Sequence, residues 1–563
     1  MLDLVIRGGT ILDGSGGARF SGDVGVQDGR IVAVGRVAER GHREVDARGL
    51  LVTPGWVDVH THYDGQATWD SLISPSCWHG VTTVVMGNCG VGFAPVKPGT
   101  HDYLIKLMEG VEDIPGTVLW EGVTWAWESF PEYLDALASK PRALDIAAQV
   151  PHAALRFYVM GERGADHTEA PTPAEIDAMG VLARDAVRAG AIGFTSSRTK
   201  NHRTSDGRFI ASLTAPQEEL VGIARRMGEA GKGVFEIVSD FAGRDQEWEM
   251  FRQMVAVSGR PLSISMAQSD QAPEAYRAML ATITDANERG LPMKAQVPAR
   301  AIGVLLGLDA SLNPFCSHPT YQGLAKLPRA ERMARLRDPA VRAQLLGEKP
   351  NPALAGLVFT FEKVFRLGEK PNYEPSADES LAAEASRRGV RPEALAYEWL
   401  LESDGKALLY RPLLNYANNN LDATHEMLQH PYVVPGLGDG GAHVGLISDG
   451  SFPTFLMSHW AKDRTRGPRL ALEKLVKAQS ADTAALVGMT DRGRIAVGMK
   501  ADLNLIDWDK LGVAHPEIAY DLPTGGKRLV QRAHGYVATI CAGAMTFQHG
   551  ESTGELPGKL VRS

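Results

Sequence analysis

The stretch PGWVDVHTHYD, residues 54–64, ends an apolar run with two histidines one residue apart. Alternate side chains of a β-strand point to the same face, so His60 and His62 would point together. Neutral imidazole is the commonest metal ligand near pH 7. An apolar strand that ends in two imidazoles on one face therefore predicts that His60 and His62 bind a metal ion.

Similar apolar runs recur through the middle of the chain and alternate with stretches of helical composition. Strands that alternate with helices favour an α/β fold with a parallel (β/α)8 barrel, whose chemistry lies at the C-terminal ends of the strands. Residues 298–432 are too long for a loop, so we predict a mostly helical insertion at about residues 300–430, before the last strand. The candidate strands are residues 55–62, 81–87, 144–150, 191–197, 233–238, 262–268, 293–297 and 433–438.

The two ends of the chain resemble each other more than they resemble the middle. Residues 1–50 alternate apolar and polar side chains around Gly-rich or Asp-Gly turns, and residues 491–509 and 535–550 also form short strands between glycines. This predicts one small β domain built from residues 1–53 and 491–563, with the barrel at residues 54–490.

Composition limits the kinds of partner. The chain has 563 residues, of which 44% are hydrophobic and 22% charged, with a net charge of -8. A nucleic-acid surface would usually need a basic excess. No uncharged apolar run approaches the roughly 18 residues of a membrane helix, and no basic-then-apolar leader opens the chain. With only four cysteines, we expect a reduced, cytoplasmic protein that acts on a small molecule; a homo-oligomer is left open.

The eighth candidate strand supplies a carboxylate. VVPGLGDGGAHVG places Asp439 directly after the apolar run, and His443 follows four residues later. From that position Asp439 could face His60 and His62 across the barrel, bind metal, and act as general base and acid toward metal-activated water. The alternative is an Asp-Gly turn without a chemical role.

Taken together, these motifs resemble the metal-dependent amidohydrolase superfamily, and within it the N-acyl-D-amino-acid deacylase (D-aminoacylase) group. The resemblance implies a distorted (β/α)8 barrel with a small β-sandwich from both termini, and one or two zinc or other divalent ions. It also implies hydrolysis of the C–N amide bond of an N-acyl-D-amino acid or a related amide. The segments that carry it are PGWVDVHTHYDGQ, GVTTVVMGNCGVGFAPV, PHAALRFYVMG, DGGAH and DRGRIAVGMKADLNLID.

The resemblance assigns Cys89 a role and marks three departures. Cys89, in GNCG, stands where these deacylases use a cysteine as a zinc ligand, and thiolate suits zinc; a small buried filler is the alternative. The fifth strand has Glu236 where relatives have a histidine, the sixth has none, and the HPR segment after the aspartate is absent. The predicted ligands are therefore His60, His62, Cys89, Glu236 and Asp439.

Further polar residues follow the candidate strands and could contact a substrate. Arg156 or Arg198 could hold a substrate carboxylate, with a structural ion pair as the alternative. His202 or His443 could stabilise the oxyanion of the reaction. Lys200 could bridge two metals as a carboxylated lysine, as in some amidohydrolases. Surface placement is the alternative for Lys200 and His202.

The sequence thus predicts a metal-dependent amide hydrolase. Two other functions stay open: hydrolysis of another C–N, ester or C–C bond, and a non-catalytic barrel that has lost ligands. The retained His60, His62 and Asp439 argue against the non-catalytic barrel. Metal content separates that alternative from the two enzymes, and a panel of N-acyl-D- and N-acyl-L-amino acids separates the enzymes from each other.

Overall fold

A sheet of eight parallel strands forms the centre of the protein, seen in a computed structural model that describes residues 1–241 and 244–563. Each predicted segment contributes one strand, and all neighbouring strands are parallel. The predicted (β/α)8 barrel is therefore confirmed. The strands are Trp56–Asp58 (β1), Val81–Met86 (β2), Asp145–Pro151 (β3), Gly193–Arg198 (β4), Val234–Ser239 (β5), Leu262–Ser265 (β6), Met293–Val297 (β7) and Val433–Pro435 (β8).

The barrel closes where β8 meets β1, and the predicted ligands lie at this seam. The backbone N–H of His62 donates to the carbonyl of Gly440, and the N–H of Asp439 donates to the carbonyl of His60. Backbone pairing therefore brings the two histidines and the aspartate to the same edge, although they are far apart in the sequence.

Helices cover the outside of the barrel, as expected for strands that are buried on both faces. The helix Pro173–Ala189 shows how the sequence sets its limits: Thr172 and Glu175 form a capping box at its start, and Gly190 caps its end. The α-helices outside the insertion are His101–Glu112, Gly116–Gly122, Phe130–Ala138, His152–Met160, Pro173–Ala189, Gln217–Gly228, Arg244–Ser258, Ala275–Glu288, Phe452–Ser458, Leu472–Lys477 and Thr483–Leu486. Among the described residues, none of the helices is both long and apolar enough to cross a bilayer.

Both termini contribute to one nine-stranded sheet, as the sequence predicts. The strand Leu503–Ile506 pairs antiparallel with Leu51–Pro54 on one side and Tyr536–Cys541 on the other. The sheet has its own apolar core. The predicted domain limits at residues 53 and 490 stay a prediction. In order across the sheet, the strands are Glu551–Ser552, Ala544–Gln548, Tyr536–Cys541, Leu503–Ile506, Leu51–Pro54, Leu2–Ile11, Phe20–Gln27 and Arg30–Gly35, with Gly41–Asp46 also paired to Leu2–Ile11.

The segment between β7 and β8 is mostly helical, as predicted, but it also contains a sheet that the sequence did not indicate. Three antiparallel strands, Ile302–Leu306, Leu408–Leu414 and Phe365–Leu367, lie in that order. They pair across long stretches of chain, which a local pattern does not show. The helices are Pro319–Leu324, Arg329–Leu336, Pro339–Gly347, Pro352–Val358, Leu381–Arg388, Pro392–Gly405 and Asp422–Gln429.

A buried ionic cluster ties this insertion to the barrel. Glu374 of the insertion lies 3.0 Å from Nη2 of Arg464 and 3.0 Å from Nε2 of His459. Burial raises the pKa of Glu374, but the hydrogen bonds from His459 and Arg464 outweigh burial and lower it to about 2. The cluster therefore stabilises the fold only while Glu374 is ionised.

Replacing Glu374 with glutamine should lower the free energy of unfolding by about 3 kcal/mol, because it leaves a buried guanidinium with fewer partners. The pKa of Glu374 is depressed on folding, so its contribution is present above pH 4.5 and is lost as the pH falls toward 2. Urea unfolding of wild type and Glu374→Gln should therefore converge at low pH. The partly exposed Glu384, which pairs with Arg387 and Arg388, is the matched control. Equal unfolding midpoints for wild type and Glu374→Gln at pH 7 would contradict this assignment.

Candidate active site

Three predicted ligands, His60, His62 and Cys89, form one buried group at the C-terminal end of the barrel. Each offers a ligand atom, and these atoms all lie within 4.8 Å of one another. Nε2 of His60 lies 3.3 Å from Sγ of Cys89. The two histidines follow β1 and the cysteine follows β2, so the closed barrel holds them side by side.

Asp439 lies against the same two imidazoles. Its Oδ1 atom is 3.5 Å from Nε2 of His60 and 3.5 Å from Nε2 of His62. Ligand atoms around a tetrahedral zinc ion, with bonds of about 2.1 Å to N or O and 2.3 Å to S, stand about 3.4–3.6 Å apart. The two contacts of Asp439 agree with that geometry, and the contact between His60 and Cys89 is slightly shorter. His60, His62 and Cys89 therefore fit a zinc ion, whereas Asp439 contacts both imidazoles but lies outside the group of three whose ligand atoms are all within 4.8 Å of one another.

Three residues of this region have a left-handed backbone that only glycine adopts without strain. The φ angles are 56° at Cys89, 45° at Asp439 and 46° at His443. Such strained positions persist where the surrounding structure fixes them, and they cluster at functional sites. The strain therefore supports a functional role for the loops after β2 and β8.

The protonation of each residue in this group depends on its burial and on its charged neighbours. Burial lowers the pKa of His60 to about 4, so this imidazole is neutral at pH 7. Burial also lowers the pKa of His62, but Glu112 and Asp439 outweigh burial and raise it to about 9. Burial alone would raise the pKa of Asp439, yet the contact with His62 holds it well below its usual range. Because burial also raises the pKa of the Cys89 thiol, metal binding here would release protons.

Two residues that contact the histidines were not predicted. Oε1 of Glu112 lies 3.2 Å from Nδ1 of His62, and Oε1 of Gln296 lies 2.9 Å from Nδ1 of His60. Both side chains are buried. A signal for Glu112 exists in the sequence, because it shares one helix face with Leu104 and Met108 at four-residue spacing. An acidic residue on an apolar face indicates a buried partner.

Glu236, the predicted ligand on β5, lies beside Cys89 but outside the three-residue group. Its Oε2 accepts a hydrogen bond from the backbone N–H of Cys89 at 3.0 Å, and its Oε1 accepts one from Ser265 at 3.1 Å. Burial raises the pKa of Glu236 to about 7. Metal ligation by Glu236 stays a prediction.

The two histidines predicted as substrate contacts have different surroundings. Nε2 of His443 lies 3.7 Å from Oε2 of Glu112. Nδ1 of His202 lies 2.9 Å from Oγ of Ser197, and burial, followed by the nearby histidines, lowers the pKa of His202 to about 3. His202 is therefore a neutral hydrogen-bonding group. Contact of His202 and His443 with a substrate stays a prediction.

Arg156, which was predicted to hold a substrate carboxylate, pairs with a carboxylate of the protein. Arg156 is fully buried and pairs with Glu219 at 2.8 Å, and it also donates to the carbonyl of Glu169. Its Nη1 and Nη2 groups therefore donate to the protein itself. The surroundings of Arg156 match the ion-pair alternative, which the sequence could not reveal because Glu219 follows a different strand. Contact of Arg156 with a substrate stays a prediction.

Arg198 and Lys200 lie outside the buried histidine group. Arg198 pairs with Glu247 at 2.6 Å and also donates to the carbonyl of Ala215. Both residues line a cavity of about 400 Å³ together with Asp240. Lys200 is exposed, which agrees with the alternative of surface placement. The geometry therefore does not support a metal-bridging role for Lys200.

Comparison with known proteins agrees with the site and the fold. Residues 43–547 match the amidohydrolase family. The chain is 28% identical to the D-aminoacylase of Alcaligenes xylosoxydans xylosoxydans over 99% of this chain and 97% of that protein. It is 27% identical to the N-acyl-D-aspartate deacylase of the same organism over 99% of this chain and 95% of that one.

Solved structures show the same fold. An N-acyl-D-glutamate deacylase from Bordetella bronchiseptica, complexed with zinc and a phosphonate inhibitor, has a TM-score of 0.66 and 24% identity over the full length of both chains. The family match spans the barrel from β1 to β8 and includes every predicted ligand. The protein therefore belongs to the amidohydrolase family.

Proposed function

We propose that this protein is a metal-dependent hydrolase that cleaves the C–N amide bond of an N-acyl-D-amino acid or a related amide. The observation that carries the proposal is the buried group of His60, His62 and Cys89, with the Asp439 carboxylate 3.5 Å from both imidazoles. The substrate class rests on similarity to the D-aminoacylase and the N-acyl-D-aspartate deacylase.

The ion would be held by His60, His62, Cys89 and Asp439. Zinc or another divalent ion in that position supplies a Lewis acid that polarises a carbonyl and lowers the pKa of water. Glu236 is the candidate ligand for a second ion. Because both of its oxygens already accept hydrogen bonds, a second ion would have to compete with the Cys89 backbone and Ser265.

Asp439 performs the proton transfers in this proposal. Its carboxylate is ionised at neutral pH and is fixed between two imidazoles. From there it accepts the proton of the attacking water and returns it to the leaving amine, a role that contributes about 10²–10⁴-fold to a rate. His202 and His443 are the proposed donors to the oxyanion and contacts to the substrate.

The test combines metal analysis with a substrate panel. We expect one or two equivalents of zinc or another divalent ion in protein purified without added metal or chelator. We also expect hydrolysis of N-acetyl-D-amino acids in preference to their L-isomers, lost after chelator dialysis and restored by zinc. Protein that takes up no metal, or metal-loaded protein that hydrolyses no N-acyl amino acid, would refute the proposal.

A second candidate, hydrolysis of an amide without a free carboxylate, is favoured by one observation. Arg156 and Arg198, the arginines predicted to hold a substrate carboxylate, are each bound to a protein carboxylate instead. The panel should therefore include N-acyl amines and cyclic amides. Faster turnover of these compounds than of any N-acyl amino acid would select this second candidate.

The remaining assignments follow from composition. We propose a cytoplasmic location and a small-molecule substrate, with domains at residues 1–53 plus 491–563 and at 54–490. The four cysteines are unpaired among the described residues, which suits a reducing compartment. Fractionation of the source cells and limited proteolysis would test the location and the domain limits.

A further inference from the structure

A chain of hydrogen bonds begins at His60 and runs across three barrel strands. Oε1 of Gln296, on β7, lies 2.9 Å from Nδ1 of His60. Nε2 of Gln296 donates to Oγ of Ser263 on β6 at 3.0 Å, and the Ser263 hydroxyl donates to the carbonyl of Phe235 on β5 at 3.2 Å. His60, Gln296 and Ser263 are all buried, so water does not compete for these bonds.

This chain fixes which nitrogen of His60 carries its proton. The Ser263 hydrogen is used on the Phe235 carbonyl, so Ser263 Oγ can only accept from Gln296. The NH₂ end of Gln296 must therefore face Ser263, and its oxygen must face His60. His60 consequently bears its proton on Nδ1, which leaves the Nε2 lone pair directed at Cys89 and Asp439.

The second imidazole has a different partner at the same ring position. Nδ1 of His62 lies 3.2 Å from Oε1 of Glu112, and Nε2 of His62 lies 3.5 Å from Asp439. This contact is an ion-pair contact and not a hydrogen bond, because Nδ1 of His62 has no hydrogen-bond partner among the described residues. The charge of Glu112 favours a proton on Nδ1, which leaves Nε2 as the ligand atom. Both histidines therefore direct Nε2 toward Asp439, but Nδ1 of His60 contacts a neutral amide and Nδ1 of His62 contacts a carboxylate.

We propose that Gln296 and Glu112 are positioning residues, which act through His60 and His62 and do not touch substrate. The inference rests on the proposed metal site. It adds that β7 and the helix His101–Glu112 help to determine metal affinity, although neither contributes a ligand. The relay through Ser263 also explains why β6, which has no histidine, still takes part in the site.

Gln296→Leu removes the oxygen that accepts the hydrogen bond from His60 and nearly preserves the volume of the side chain. We expect its zinc affinity to fall by about 10–100-fold, measured on the full chain by competition with a chromophoric chelator. Gln296→Glu keeps an oxygen facing His60 and should retain most of the affinity. Glu112→Gln also keeps an oxygen but removes the charge, so its affinity should fall less than that of Glu112→Leu.

The matched control is Gln479→Leu. Gln479 is also buried, and its Nε2 donates to the carbonyl of Val57 on β1 without touching either histidine. We expect this variant to bind zinc as wild type does. If folded Gln296→Leu binds zinc like wild type, or if Gln296→Glu loses as much affinity as Gln296→Leu, the positioning role is refuted. Wild-type protein that binds no zinc would instead refute the proposed function.

Discussion

Replacing His60 and His62 together with alanine should abolish metal binding and amide hydrolysis. A zinc site of four protein ligands contributes about 10–16 kcal/mol in small metal-dependent domains. Each ligand then accounts for about 2.5–4 kcal/mol, or about 10²–10³-fold in affinity. Losing both imidazoles should therefore weaken zinc binding by about 10⁴–10⁶-fold.

Elemental analysis after gel filtration measures this effect, and hydrolysis of an N-acetyl-D-amino acid at saturating zinc measures its consequence. His430→Ala is the control, because His430 contacts Thr284 on the outside of the barrel and no ligand. The double variant should remain folded, since the seam between β8 and β1 is held by backbone hydrogen bonds. A folded double variant with wild-type metal content would show that the ion, if any, lies elsewhere.

The barrel could be predicted from the sequence because its strands are local apolar runs. β2 and β3 are buried along their whole length, and their mostly apolar sequences indicate this directly. The positions of His60, His62 and Asp439 followed from the rule that chemistry lies after barrel strands. Ligation by Cys89 was predicted from the family resemblance, since a lone cysteine after a strand does not by itself indicate a metal ligand.

The sequence could not show contacts between elements that are far apart in the chain, because no local pattern connects them. Glu112 reaches His62 from a helix, and Gln296 reaches His60 from the opposite end of the sheet order. Arg156 was predicted to contact a substrate, because the sequence does not show that Glu219 lies against it in the fold. Each case depends on which side chains face one another across the barrel.

The departures on β5 and β6 also acquire a physical explanation. Glu236 supports the backbone of Cys89, a residue with a strained φ angle, and Ser265 donates to the same carboxylate. Ser263 supports Gln296 and through it His60. Glu236, which stands in place of the expected histidine on β5, and Ser263 of β6 therefore support the ligands that follow β1 and β2.

Asp439→Asn should separate proton transfer from metal binding. Asparagine keeps the shape and one oxygen of the side chain, but its amide cannot take a proton from water. We expect kcat/KM to fall by about 10²–10⁴-fold, while zinc content at saturating zinc stays close to that of wild type.

Asp113→Asn is the matched control for this experiment. The Asp113 carboxylate accepts hydrogen bonds from Ser311 and from the backbone N–H of Gly445, near the site but without contact to His60 or His62. The Asp113→Asn variant should keep most of the wild-type rate. If Asp439→Asn lost its zinc and its activity together, Asp439 would be chiefly a ligand. If it kept both, the proton would have to pass through another group, and Glu112 and Glu236 are the buried carboxylates close enough to be examined next.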